Sequence, residues 1–250
     1  MRIIKILILT LSSFSIIAQN ISGIAVYKYK FNLGVATKDT LIGRLYFDNQ
    51  GESYYISKNG RKTILTNISN DSQIKDKEIK PSVIKKDSSI VYRNIVNKEY
   101  FYSKSSHVNT LILSDSLKDI KWNLLSENKK IGRFSCILAK AKFAGRNYSV
   151  WFTTEIPVSA GPWKLYGLPG LIMEVYDDLG LIYYVLDSIE IKNGISIKPF
   201  SIDILRARAI KKTEFNQKEK LEEDKMRGYV QSQGSQIEFK KGQGMELEEN

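Results

Sequence analysis

One cysteine and one histidine in 250 residues close off a good deal of chemistry. A single cysteine cannot build a disulfide framework or a thiolate-rich zinc or iron–sulfur site. A single histidine excludes His-clustered metal centres and leaves only carboxylate sites of the calcium or magnesium type. Five prolines and 16 glycines are too few for a collagen-like or proline-rich scaffold. Past the N-terminus, no stretch approaches the roughly 18 apolar residues of a membrane-spanning helix. What is present is 42% hydrophobic and 11% aromatic residues, enough for a packed core. No linker or internal repeat divides the chain, so residues 20–250 read as one β-rich domain.

Residues 1–19, MRIIKILILTLSSFSIIAQ, have the pattern of a secretory signal peptide. Arg2 and Lys5 give the positive start, the apolar run extends from Ile6 to Ile17, and Ala18 marks the cleavage region. The only cysteine, Cys136, is far from that point, which excludes lipid attachment at a new N-terminal cysteine. The expected destination is the bacterial periplasm, with outer-membrane association or full secretion as alternatives. Without the segment, the formal charge of +11 falls to +9. Such an excess favours anionic partners or a membrane surface, or reflects lysines spread over a solvated exterior. An exported chain without a recognition motif gives no reason to expect nucleic acid.

The mature chain alternates with the period of half-buried strands. GIAVYKYKFN opens with Ile24, Val26, Tyr27 and Tyr29, and DNQG supplies turn chemistry between Leu41–Phe47 and Ser53–Ser57. From Thr66 to Asp87 polar residues dominate, as in an extended loop or weakly packed insertion. Further strands fit Ser89–Asn94, Asn97–Ser103, Lys121–Ser126, Arg133–Phe143 and Asn147–Thr153. Leu171–Tyr176 and Leu181–Ile189 form a last hairpin around Asp178–Gly180. Phe134, Cys136 and Leu138 share one face, so Cys136 packs as a small hydrophobe; His107 in SKSSHVN lies too isolated to activate it. About 203–228 reads as a helix with Gly228 as its stop, followed by a charged tail. Its thin apolar side (Ile210, Phe215, Leu221, Met226) places it at or outside the sheet edge. The expected fold is mainly β: a curved antiparallel sheet or incomplete barrel with a C-terminal helix.

Between residues 120 and 178 runs an ordered set of motifs: Trp122, Ile131-Gly132, Cys136, Gly145-Arg146-x-Tyr148, Trp151-Phe152-Thr153, Glu155-Ile156-Pro157, Gly161-Pro162-Trp163-Lys164 and Gly167-Leu168-Pro169-Gly170-Leu171-Ile172. This set resembles the GLPGLI family of exported proteins, which has no assigned activity; the resemblance implies export and a β-rich fold. The order strand, Gly-Leu-Pro loop, strand, turn, strand is also similar to the periplasmic lipoprotein carriers. Those are incomplete antiparallel barrels whose apolar concavity holds acyl chains, and the likeness is one of architecture only.

Two readings of the hexapeptide stand side by side. Gly167, Pro169 and Gly170 can make a conformational corner into the strand at Leu171, or the loop can present Trp163 and Tyr166 at the rim of a site. Trp151, with Trp163 and Tyr166, suits ligand stacking, a protein contact or ordinary core packing. Glu174, if buried, needs a cationic partner such as Arg146 or Lys164. Asp177 and Asp178 sit where a tight turn wants Asp. These residues point to a non-enzymatic binding, carrier or accessory module of the cell envelope, serving a lipid-like ligand or an outer-membrane or periplasmic protein. No cofactor or metal is expected. The rivals are a hydrolase of envelope polymers using Glu155, Glu174 or Asp177, and a pure interaction subunit.

Overall fold

The computed structural model describes residues 20–31, 40–58, 88–105 and 110–232. The signal segment, the polar stretch 66–87, His107 and the charged tail lie outside these residues. Among the described residues, twelve strands form one sheet. The first six are β1 (Ile21–Phe31), β2 (Leu41–Asp48), β3 (Glu52–Lys58), β4 (Ser88–Asn94), β5 (Glu99–Ser105) and β6 (Thr110–Ser114). After them come β7 (Asn123–Ile131), β8 (Phe134–Phe143), β9 (Arg146–Thr153), β10 (Leu171–Asp177) and β11 (Ile182–Asn193). A short β12 (Ala209–Lys211) lies between two helices, α1 (Asp203–Arg208) and α2 (Lys212–Ser232).

The order is β12-β6-β5-β4-β3-β2-β1-β11-β10-β9-β8-β7. Two meanders, β1 to β6 and β7 to β11, are joined where β1 pairs with β11 from Ile21↔Asn193 to Phe31↔Ile182. Period-2 alternation explains this seam: Ala25, Tyr27 and Tyr29 point into the core while Lys28 and Lys30 face solvent. The sheet is open, curved and mixed. All pairings are antiparallel except β12 with β6, which runs parallel.

Curvature follows from what touches the segment between β9 and β10. Trp163 lies 6.0 Å from the ring of Phe143 on β8, and the Lys164 ammonium lies 3.5 Å above the ring of Tyr102 on β5. Eight strand spacings separate β5 from β8, about 38 Å in a flat sheet. Neighbouring residues reach both strands only because the sheet curls around them. The concave side therefore holds the main core, with Tyr27, Tyr55, Phe152, Trp163, Leu165 and Leu168 among its members.

On the convex side, Tyr46, Tyr54, Tyr92 and Phe101 are covered by Phe200 and Leu205. Arg206 fastens this cover, its guanidinium forking onto both carboxylate oxygens of Glu99 at 3.0 and 2.9 Å. The expected single helix is divided. Ala209–Lys211 leaves helical geometry to pair with β6, because a sheet edge carries unpaired backbone groups that an extended segment satisfies. Gly228 does not end α2, which runs on to Ser232. Only Phe215 of α2 is buried, in keeping with its thin apolar side.

Candidate functional site

Ile156 to Gly170 fills the concave side of the sheet. Successive three-residue turns coil its start, with Val158 N–H donating to Ile156 O and Ala160 N–H to Val158 O, both at 2.8 Å. Trp163 takes a φ of +51°, which a bulky side chain adopts only when its surroundings impose it. What imposes it is Arg93, whose side chain is fully buried on β4. Its Nη1 donates to the carbonyls of Trp163 at 3.1 Å and Leu165 at 2.9 Å, and its Nη2 donates to that of Gly161 at 3.0 Å. Nε donates to Ser53 Oγ at 3.2 Å, and the guanidinium sits 5.4 Å from the Tyr166 ring centre. Burial lowers the Arg93 pKa to about 10, still leaving it charged at neutral pH.

The hexapeptide closes this plug. Gly167 has φ +96°, and its N–H donates to Ser159 Oγ at 2.9 Å. Trp122 Nε1 donates to Tyr166 O at 2.8 Å, and the Tyr166 hydroxyl donates to Lys118 O. At Gly170 the need is for space, since a Cβ there would stand 2.0 Å from the Thr153 carbonyl oxygen. Leu168, Leu171 and Ile172 are buried, and Ile172 O accepts from the Tyr27 hydroxyl at 2.6 Å. Trp163 and Tyr166 are thus core residues of the plug, each 6% exposed.

The remaining sequence candidates separate. Arg146 pairs with Asp177 at 3.1 Å, both side chains almost fully buried. Asp177 also accepts the N–H groups of Leu181 at 2.7 Å and Ile182 at 2.9 Å, so it serves the turn and the ion pair together. Glu174 finds neither of its expected partners. Its carboxylate pairs with Lys129, reaching across from edge strand β7. Lys164 instead lies over Tyr102, because the plug directs it toward β5.

Glu174 and Trp151 do come together, on the convex face. The Lys129 ammonium lies 4.5 Å over the Trp151 ring, and the Tyr183 hydroxyl donates to Glu174 at 3.4 Å. Cys136 lies fully buried behind this group, its thiol pKa pushed up to about 11 by burial. Glu155, the third acidic candidate, accepts the Ser135 N–H at 2.7 Å. Arg93, Lys129 and Tyr183 were not singled out from the sequence. For Arg93 a signal existed: it follows Val91 at the inward period of a strand, where a charge is out of place.

A cleft of about 330 Å³ opens where the Asp48–Ser53 turn, Ile95–Val96 and the start of the plug meet. Burial raises the Asp48 pKa there. Glu52 accepts from the hydroxyls of Tyr54 at 2.9 Å and Tyr92 at 3.1 Å and pairs with Lys198 at 2.5 Å.

The plug and its flanking strands are also where a family match falls. Residues 144–174 match the family described as "Protein of unknown function (Porph_ging)". That stretch takes in β9, the plug and most of β10. A comparison with curated proteins finds no match. Among solved structures, two crystal forms of PNGF-II are similar to this chain, each at 18% identity, with TM-scores of 0.47 and 0.46. Each alignment covers 78% of this chain but only 31% of PNGF-II, so the chain spans under a third of that protein's length.

Proposed function

We propose that the chain is an exported, non-enzymatic module of the cell envelope that works by surface binding, as an accessory to other envelope components. Its placement in the GLPGLI-type family is part of this proposal and is supported by the Porph_ging match around the hexapeptide. The observation that carries the reading is the plug. A carrier of the lipoprotein-carrier type keeps its concavity open for acyl chains, whereas here Ile156 to Gly170 occupies that side under the hold of Arg93. Each acidic residue offered for hydrolysis is also engaged structurally: Asp177 with Arg146, Glu174 with Lys129, and Glu155 with a backbone N–H.

The test is native mass spectrometry of the full chain isolated from its host envelope, with lipid extraction and polymer-hydrolysis assays on the same sample. We expect a mass shortened by the signal segment, no stoichiometric lipid and no polymer cleavage. A discrete acyl ligand would establish the carrier instead. Cleavage lost in Glu174→Gln or Asp177→Asn variants that stay folded would establish the hydrolase.

A further inference from the structure

Among the described residues, the cover on the convex face reaches only part of it, and the composition of the rest is specific. The cover built on Phe200 and Leu205 packs over the β2–β6 side. Across β1, β11, β10, β9 and β8, residues directly opposite one another form rows on this side, exposed or half-buried apart from the buried Ser149 and Leu138. One row runs Lys30, Tyr183, Tyr176, Ser149, Lys140. The next runs Lys28, Val185, Glu174, Trp151, Leu138, and Lys142 lies opposite Asn147 beyond the first. Four strand spacings make the first row about 19 Å long.

Electrostatically, the face is one-sided. Its carboxylates are neutralised at home: Asp187 by Lys28 at 2.6 Å and Glu174 by Lys129. Lys30, Lys140 and Lys142 are exposed and have no carboxylate partner among the described residues. Between them stand Tyr176, half-buried, and Tyr183, 39% exposed. Cations that flank a pair of aromatic rings match a chain carrying both anionic groups and apolar sugar faces.

Resting on the reading of the chain as a surface-binding module, we propose that this face docks an anionic polysaccharide laid across β1, β11, β10, β9 and β8. Its acidic groups meet Lys30, Lys140 and Lys142, and a sugar ring packs on Tyr183. Curvature selects this occupant over an anionic bilayer. The sheet curls away from this side, so a flat membrane touches it only along a crest, while a flexible chain follows the whole row.

The test is binding of the full chain to alginate, a polyuronate, with dextran as the neutral control, in 50 mM and 300 mM NaCl. We expect binding to alginate alone, weakened by the higher salt. Reversing the face with Lys30→Glu, Lys140→Glu and Lys142→Glu is expected to weaken it about tenfold or more. The same charge change on β12 and α2, through Lys211→Glu, Lys220→Glu and Lys225→Glu, should alter it by less than about twofold. Tyr183→Ala is expected to weaken it about threefold. Equal loss in both triple variants would reduce the effect to overall charge and overturn the assignment. Binding to phosphatidylglycerol vesicles but not alginate, abolished by the face variant, would overturn it in favour of a membrane. No alginate binding at 50 mM would overturn it as well, while leaving the surface-binding reading to the native-mass measurement.

Discussion

Arg93 and Trp163 stand 70 positions apart, and the guanidinium of one donates to the carbonyl of the other at 3.1 Å. Through this bond and two like it, a strand from the first meander holds a segment from the second. The cation is satisfied by carbonyl dipoles and an aromatic ring where a carboxylate would be the usual partner.

Replacing Arg93 by Ala strands three buried carbonyls and is expected to cost about 3–5 kcal/mol, measured by urea unfolding followed by circular dichroism. Arg93→Lys keeps the charge and loses the fork, and about 2 kcal/mol of destabilisation is expected. A loss below about 0.5 kcal/mol in both variants would show that the plug holds without this residue.

Asp177→Asn separates the two duties of that side chain. An amide oxygen can still accept the N–H groups of Leu181 and Ile182, but the charge opposite Arg146 disappears. A cost of about 2–4 kcal/mol is expected, falling when Arg146 is changed to Met in the same chain. Strictly additive single and double changes would mean the pair is not coupled.

Gly170→Ala should be among the most damaging single-methyl additions. The new Cβ meets the Thr153 backbone, 2.0 Å from its oxygen and 2.7 Å from its carbonyl carbon, so β9 and β10 must separate. About 3 kcal/mol or more is expected. At Gly132, φ is +57° with nothing near the added methyl, and Gly132→Ala should cost only about 1 kcal/mol. The two melting temperatures, compared directly, decide the order.

Alkaline titration should expose the tyrosine core. Burial raises the phenol pKa of Tyr29 and Tyr166 from 10.0 to about 12, and pushes Tyr27, Tyr55 and Tyr184 up as well. The unfolded chain therefore loses these protons first as pH passes 10, and stability falls from there upward. Arg93, with its pKa lowered, acts in the opposite sense over the same range, but one group stands against several. Absorbance at 295 nm should show the buried set titrating only with unfolding. A single smooth titration of all 14 tyrosines in a chain that stays folded would contradict this.

How much of this was legible in advance differs by element. Strand positions were, because period-2 alternation is imposed locally: β8, β9 and both arms of the last hairpin fall where the pattern places them. Burial of Cys136 followed from the same alternation. The C-terminal helix was legible only in part, since residues 209–211 respond to the free edge of β6, which propensity does not register. Of the candidate site, the hexapeptide's corner geometry was readable from Gly167 and Pro169, and the partners were not.

By itself, the sequence determined a β-rich sheet, the face shared by Phe134, Cys136 and Leu138, the buried thiol and the unusual character of Gly161 to Ile172. Each rests on residues within a few positions of one another. Tertiary structure alone decided that the Gly-Pro segment plugs the concavity, that Arg93 holds it, that Arg146 chooses Asp177 and Glu174 chooses Lys129. It also decided that Lys30, Tyr183, Tyr176 and Lys140 share one row of the convex face. The reason is physical: strand order and curvature bring together groups dozens of positions apart, and a buried charge takes whichever partner that folding delivers within hydrogen-bonding distance.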